Sequence, residues 1–440
     1  MTRTKEQHQN LKKNQLSKQL KKQYIGLDVL RGLGIFILVG LHSAFYYFDG
    51  LYDLDMENPP LVVTLIGLLL MFAGMFAIIS GTAHMTQFIR RIKAKQESTH
   101  QIIKYFLVRG GMILVVAYTY FVFTGPGLID FATRSSNNSI LVDLIRYGIF
   151  KGFNFDRLVY IDSLVMIGSN IILLGFFTAL FYRFFKSVEN KWFSRAYLIG
   201  GLAIFALSIV RIPLYAIYSK AVAGGDYPVI FALNWLANKN NPVLPYLAFG
   251  FFGMWIASMI NLYPWEKVSR TVLTLASALL IIGVALYINL PDTMLKRGID
   301  FKWYSIMTAQ LGLFMMMVIS ALKLYDFRKT SRMKLGSLSK FIYRFSFGGL
   351  SVFFIESVFS ACVYRVLKTL NSELSFSLGT ALIYGFSLAL FWGLVLIAWE
   401  KIGYKYGIEY FYGKIAAQFG GSAKQEKLKA AGERSNPFKE

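Results

Sequence analysis

The sequence predicts an all-α fold, a polytopic bundle of about ten membrane-spanning helices. Hydrophobic residues make up 55% of the 440-residue chain and charged residues only 16%, too few to cover the surface of a soluble protein of this length. The apolar residues also occur in runs of about 18 to 25, the length that crosses roughly 30 Å of hydrocarbon. The spans leave no room for a large soluble domain.

The predicted spans lie near 29–48, 61–87, 105–124, 158–182, 196–219, 243–262, 270–290, 303–323, 345–367 and 376–399. A shorter apolar segment at 139–153 is interrupted, so we expect it to lie at the membrane interface or to re-enter the membrane. The chain then divides into a basic tail, a bundle and a polar tail: 1–23, 24–412 and 413–440.

The connectors between the spans alternate in charge. The first connector is acidic and has no Lys or Arg, whereas the connectors after the second, fourth and eighth spans are rich in both. The positive-inside rule therefore predicts a multi-pass protein of the plasma membrane with both termini in the cytoplasm. One predicted outer connector departs from the rule and carries Lys296, Arg297 and Lys302.

The net charge of +23 points to a partner with negative charge. Because the basic residues lie between the spans and on the tails, we expect them to face anionic lipid head groups and not nucleic acid. Cys362 is the single cysteine, which excludes a disulfide within the chain. The sequence leaves a homodimer open.

The first span carries two ionisable residues on one face. Arg31 and His42 are eleven residues apart, which is close to three helical turns and about 16 Å along the axis. Asp28 precedes Arg31 by one turn and is expected to pair with it. Gly32 and Gly40 would let another helix or a ligand approach closely.

This pair has two interpretations. In the functional one, Arg31 binds the phosphates of a donor at the cytoplasmic mouth of a channel, and His42 acts as general base on an acceptor hydroxyl or amine. In the structural one, Arg31 extends to the membrane surface and His42 is hydrogen-bonded within the bundle.

Other polar residues lie in or beside later spans. At the end of the second span, four residues either bind a cofactor phosphate or mark the cytoplasmic boundary: Ser80, His84, Arg90 and Arg91. Five further residues are candidates for binding substrate in a reaction cavity: Asp162, Arg211, Trp235, Asn241 and Glu356. Arg211 could also serve as counter-ion to Glu356 or Asp162.

The sequence has no Walker-type phosphate loop, Gly-x-Ser-x-Gly, HExxH or zinc-type Cys/His cluster. An ATP-driven pump and a metallohydrolase are therefore disfavoured, and no metal site is expected.

Four segments resemble the transmembrane acyltransferase superfamily, which includes acyltransferase-3 and heparan-α-glucosaminide N-acetyltransferase-like proteins. The stretch 27–33 (LDVLRGL) followed by His42 resembles the opening of the acyltransferase-3 group. Three further stretches resemble the heparan-α-glucosaminide branch: 76–81 (FAIISG), 241–253 (NPVLPYLAFGFFG) and 406–411 (YGIEYF).

This resemblance implies transfer of an acetyl or other short acyl group from cytoplasmic acetyl-CoA to an extracytoplasmic acceptor, commonly a sugar. It assigns CoA binding to Arg31, Arg90 and Arg91, and places the catalytic histidine at His42. The chain departs from the heparan branch, which has asparagine in place of His42 and a histidine near the position of Asp53.

Two hypotheses from other classes stand beside the acyltransferase. A transporter or flippase of a glycan or small solute would use the intramembrane charges as a substrate path, although the sequence shows no convincing inverted repeat. A membrane scaffold or sensor without enzymatic activity would need neither path nor donor.

Overall fold

The computed structural model describes residues 23–54, 60–70, 72–94, 98–130, 134–153, 157–158, 160–238, 241–290, 299–328 and 335–419. Nearly all of the N-terminal tail, most of the C-terminal tail, and Lys296 and Arg297 lie outside these described residues, so the expectations for them stay predictions.

The described chain is almost entirely helical, as predicted. In chain order the helices are α1 (Ile25–Tyr47), α2 (Leu61–Leu70), α3 (Ala73–Lys93), α4 (Thr99–Thr119), α5 (Ile140–Tyr147), α6 (Ser163–Phe185), α7 (Lys191–Leu207), α8 (Arg211–Gly224), α9 (Tyr227–Ala237), α10 (Val243–Leu262), α11 (Trp265–Asn289), α12 (Phe301–Tyr325), α13 (Ser337–Leu370), α14 (Leu378–Glu400) and α15 (Ile408–Phe419). A short antiparallel hairpin pairs β1 (Leu128–Asp130) with β2 (Ser135–Asn137).

Within the described residues, nine helical segments are long and apolar enough to cross a membrane, and they coincide with nine of the ten predicted spans. The chain is therefore a multi-pass membrane protein. The predicted span 61–87 differs, because it is divided between α2 and α3. The second half, α3, is also less apolar, since it contains several polar side chains and ends in three basic residues.

Helix α10 lies at the centre of the bundle, and 94% of its most apolar 18-residue stretch is buried. It packs against α3, α6 and α7. The approach to α3 depends on glycine, because a Cβ atom at Gly81 would overlap the carbonyl of Gly250, and one at Gly253 would overlap that of Ile78. Small residues allow such close contact between membrane helices.

Helix α1 packs against α12, α13 and α14. The predicted close approach at Gly32 is confirmed, since a Cβ atom there would overlap the carbonyl oxygen of Ile342 in α13. Tight packing at this point fixes the position of α1 relative to α13, and these two helices provide the main residues of the candidate site.

The segment predicted to lie at the interface forms the short helix α5, which packs against α13. Nearby, the buried Arg157 donates hydrogen bonds to the carbonyls of Phe121, Pro126 and Asn137. Burial lowers the pKa of Arg157 to about 10, which leaves the guanidinium charged at neutral pH. The three bonds tie the loop around the hairpin to the bundle. At the other end of the chain, α15 runs across the predicted boundary at residue 412.

Candidate functional site

His42 and Glu356 meet in the core of the bundle. The Nδ1 atom of His42 lies 3.2 Å from Oε1 of Glu356, a residue of α13. The Glu356 side chain is only 1% exposed, whereas that of His42 is 18% exposed. The carboxylate therefore contacts the buried edge of the imidazole, and the ring as a whole stays partly accessible.

The hydrogen bonds of this pair leave two atoms without partners. Ser357 donates to Oε1 of Glu356 at 2.9 Å, whereas Oε2 is buried and has no hydrogen-bond partner among the described residues. The structure gives Nε2 of His42 no hydrogen bond within the same residues. A carboxylate on Nδ1 favours the tautomer with its proton on that atom, which leaves a lone pair on Nε2.

Aromatic and acidic residues surround the imidazole. The ring of Tyr46, one turn further along α1, lies 6.2 Å from that of His42, and the ring of Phe353 lies 5.5 Å away. Asp162 caps the start of α6 by accepting a hydrogen bond from the Leu164 amide at 2.8 Å. Its carboxylate is close enough to His42 for their charges to interact.

A cluster of apolar side chains forms the wall behind this centre. It contains Phe353 and Tyr120, whose rings lie 5.0 Å apart, and the partly buried Trp235 packs against it. Of the predicted catalytic and substrate-binding residues, the structure brings His42 and Glu356 into direct contact. Asp162 interacts with His42 through its charge, and Trp235 packs against the neighbouring apolar cluster.

A second group of polar residues lies about three turns away along α1. The predicted pair forms, with Arg31 at 3.0 Å from Asp28 and its side chain 33% exposed. On α3, Nδ1 of His84 lies 2.7 Å from the carbonyl oxygen of Ser80. The Nε2 atom of His84 is buried and has no partner in the described part of the chain.

Three arginines act electrostatically on His84: Arg31, Arg91 and Arg109. Arg91 stacks on the ring of Tyr105 at 4.0 Å, and Arg109 donates to the Tyr105 hydroxyl at 3.0 Å. We call His84 and these three arginines the basic cluster. Its three arginines are partly exposed, which suits a ligand that carries several phosphate groups.

The helix α15 supports the basic cluster. Arg109 donates to the hydroxyl of Tyr412 at 2.9 Å, and that hydroxyl lies 3.2 Å from the carbonyl oxygen of Arg109. Glu409, from the stretch 406–411, accepts hydrogen bonds from the Leu350 and Ser351 amides of α13. These contacts fix α15 against both α4 and α13.

Other predicted residues lie elsewhere. Arg211 pairs with neither Glu356 nor Asp162 within the described residues; it is fully buried, donates to the Asn238 carbonyl and stacks on Trp303 at 4.5 Å. Asn241 lies just before α10.

Arg90 is half-buried and lies near Tyr24, and it is not among the residues whose charges act on His84. Adjacent helix positions differ by about 100°, which explains why Arg91 joins the basic cluster and Arg90 does not.

Sequence reasoning missed four residues of these two groups: Tyr46, Ser357, Arg109 and Tyr412. The spacing of four from His42 could have identified Tyr46. Arg109 lies inside α4 and within the predicted span 105–124, but no motif marks it. The contact of Tyr412 with Arg109 joins residues 303 positions apart, and local sequence carries no signal for it.

The described residues contain no group of three or more His, Cys, Asp or Glu side chains that could hold a metal ion. No protein-family model matches the chain, and no curated protein matches its sequence. The geometry of the two groups is therefore the basis for inferring the function.

Proposed function

We propose that this protein is a membrane-bound acyltransferase of the plasma membrane. It moves an acetyl or other short acyl group from cytoplasmic acyl-CoA to a hydroxyl or amine of an extracytoplasmic acceptor, a sugar of a surface glycan or glycolipid. The pairing of His42 with the buried Glu356 is the observation that carries the proposal, because it leaves Nε2 available as a base.

In this reaction the acceptor oxygen or nitrogen attacks the thioester carbonyl while its proton moves to Nε2 of His42. The C–S bond then breaks, and the imidazolium returns the proton to the departing thiolate. Glu356 stabilises the imidazolium between these two steps. The products are the acylated acceptor and free CoA.

The basic cluster supplies the donor end. Arg31, Arg91 and Arg109 would bind the phosphates of CoA, since guanidinium groups form strong charge-assisted bonds with phosphate. The acyl group of CoA lies at the end of a long flexible arm, far from its phosphates. The separation of about 16 Å between Arg31 and His42 suits a ligand of this shape.

The proposal is tested by transfer of radiolabelled acetyl from acetyl-CoA to sugar acceptors, with purified protein in proteoliposomes. His42→Ala is expected to abolish transfer, whereas the control His100→Ala, at an exposed position of α4, is expected to retain it. Full activity of His42→Ala towards every acceptor would overturn the role of His42. Solute uptake that needed no acyl-CoA would favour the transporter instead.

A further inference from the structure

A cavity of about 430 Å³ adjoins the candidate catalytic centre. Residues from the end of α1, the turn Asp49–Asp53, the hairpin and α5 form its wall. Tyr46 belongs to both places, since it lines the cavity and its ring lies 6.2 Å from that of His42. The cavity wall therefore begins one helical turn from the proposed base.

Tyrosine side chains form much of the cavity wall. Tyr46, Tyr47, Tyr52 and Tyr147 all line it. An aromatic ring offers an apolar face and, in tyrosine, a polar hydroxyl at its edge. Sugars present the complementary surface, with apolar C–H faces and polar hydroxyl rims, so this wall suits a saccharide.

The wall also carries three basic side chains, and two of them have acidic partners. Arg134 pairs with Asp53, and Lys151 lies 3.1 Å from Asp143. The lining also includes the carboxylate of Asp49, which accepts a hydrogen bond from the backbone amide of Phe376.

Arg146 is the third basic residue, and its contacts differ. Its guanidinium stacks on the rings of Tyr47 at 4.8 Å, Tyr147 at 5.3 Å and Tyr364 at 5.2 Å. No carboxylate of the described residues lies within ion-pair distance of it. Aromatic contacts hold a guanidinium in place without neutralising it, and its five N–H groups can grip an anion bidentately.

We propose that this cavity binds the acceptor, and that the acceptor is a saccharide carrying an anionic group, a carboxylate or a phosphate, which Arg146 recognises. The tyrosines contact the sugar ring, and Tyr46 directs a hydroxyl group of the sugar towards His42. This inference rests on the proposed function, because the saccharide is an acceptor only if the protein is an acyltransferase. Binding in the cavity can nevertheless be measured without any transfer.

The binding test compares ligands that differ at one carbon, using purified protein in detergent and no acyl donor. Methyl β-glucuronide supplies the carboxylate, methyl β-glucoside 6-phosphate the phosphate, and methyl β-glucoside neither. We expect one of the two anionic sugars to bind at least tenfold more tightly than the neutral one, as for a charge-assisted hydrogen bond. The preferred anion identifies the group.

Arg146→Gln is expected to reduce this preference about tenfold or more. Arg146→Lys keeps the charge without the planar fork and should retain part of it. The matched control Lys220→Gln removes one exposed positive charge that does not line the cavity and should retain the full preference. If Arg146→Gln does not fold, the result for Arg146→Lys decides.

Equal binding of all three sugars by the wild type would overturn the inference, as would an undiminished preference in the folded Arg146 variants. Acyl-transfer assays with the same sugars show whether the inference about the acceptor or the proposed function has failed. Acyl transfer to all three sugars without anion preference would overturn only the inference about the acceptor. Anion-selective binding without release of CoA would overturn only the proposed acyltransferase function.

Discussion

The contact between His42 and Glu356 makes Glu356→Gln an informative substitution. The amide oxygen of glutamine can occupy the place of Oε1, which lies 3.2 Å from His42 and accepts the Ser357 hydroxyl at 2.9 Å. The geometry of the pair can then persist, and the substitution removes the negative charge that stabilises the imidazolium in the proposed mechanism.

The structure sets the size of the effect. Two unit charges 3.2 Å apart attract by about 5 kcal/mol at an effective dielectric constant of about 20, which is an upper bound. The net contribution of a hydrogen bond to a charged group is about 1.5–3 kcal/mol. Because about 1.4 kcal/mol corresponds to a tenfold change in rate, we expect kcat to fall about 10- to 150-fold.

The free energy of unfolding should respond differently from the rate. Glu356 is 1% exposed, and its Oε2 atom has no partner within the described residues. Burying a charge is costly, and glutamine removes that charge while it keeps the shape of the side chain and an oxygen that can accept both hydrogen bonds. A neutral His42 then leaves no uncompensated charge behind. We therefore expect the melting temperature of Glu356→Gln to equal or exceed that of the wild type.

The assay measures initial rates of CoA release with acetyl-CoA and a sugar acceptor, together with thermal unfolding of the same protein samples. Glu400→Gln is the matched control, since Glu400 pairs with Arg344 at 2.7 Å outside the candidate centre. Wild-type kcat in Glu356→Gln would refute the base mechanism. A lower kcat together with a lower melting temperature would assign Glu356 a structural role instead.

Three further predictions concern the cluster, the cap and the packing. Arg109→Gln should raise the KM for acyl-CoA about tenfold, through loss of a charge-assisted contact, and an unchanged KM would remove Arg109 from the donor site. Asp162→Asn should keep the cap of α6 and the melting temperature, so a lower rate would show that the charge of Asp162 acts on His42. Asp162→Ala removes the cap and should lower the free energy of unfolding by about 1 kcal/mol. Gly253→Val should lower the melting temperature, because its side chain would overlap the Ile78 carbonyl and cost about 1–3 kcal/mol; equal melting temperatures would contradict the close packing.

The sequence predicted the spans well because hydropathy is a local property that the bilayer imposes on each helix. The exception, 61–87, shows the limit of this signal. The predicted run is continuous, whereas the structure divides it between α2 and α3. Helix α3 contains several polar side chains, so the apolar run that could span a membrane is shorter than the predicted one.

Prediction of the candidate site was less complete. The shared face of Arg31 and His42 followed from helical periodicity, but the partner of His42 did not, because Glu356 lies 314 residues further along the chain. Several intramembrane charges were equivalent in sequence. Only the packing distinguishes Glu356, which meets His42, from Arg211, which lies against Trp303.

One helix connects the two ends of the proposed reaction path. Helix α13 carries Glu356 against His42, and five residues earlier its Ser351 binds Glu409 of α15. The same α15 carries Tyr412, which holds Arg109 in the basic cluster. A shift of α13 relative to α15 would therefore alter both the base and the donor site. The carboxylate of Glu409, in the stretch 406–411, therefore joins the helix that carries Glu356 to the helix that carries Tyr412, although it lies far from both groups in sequence.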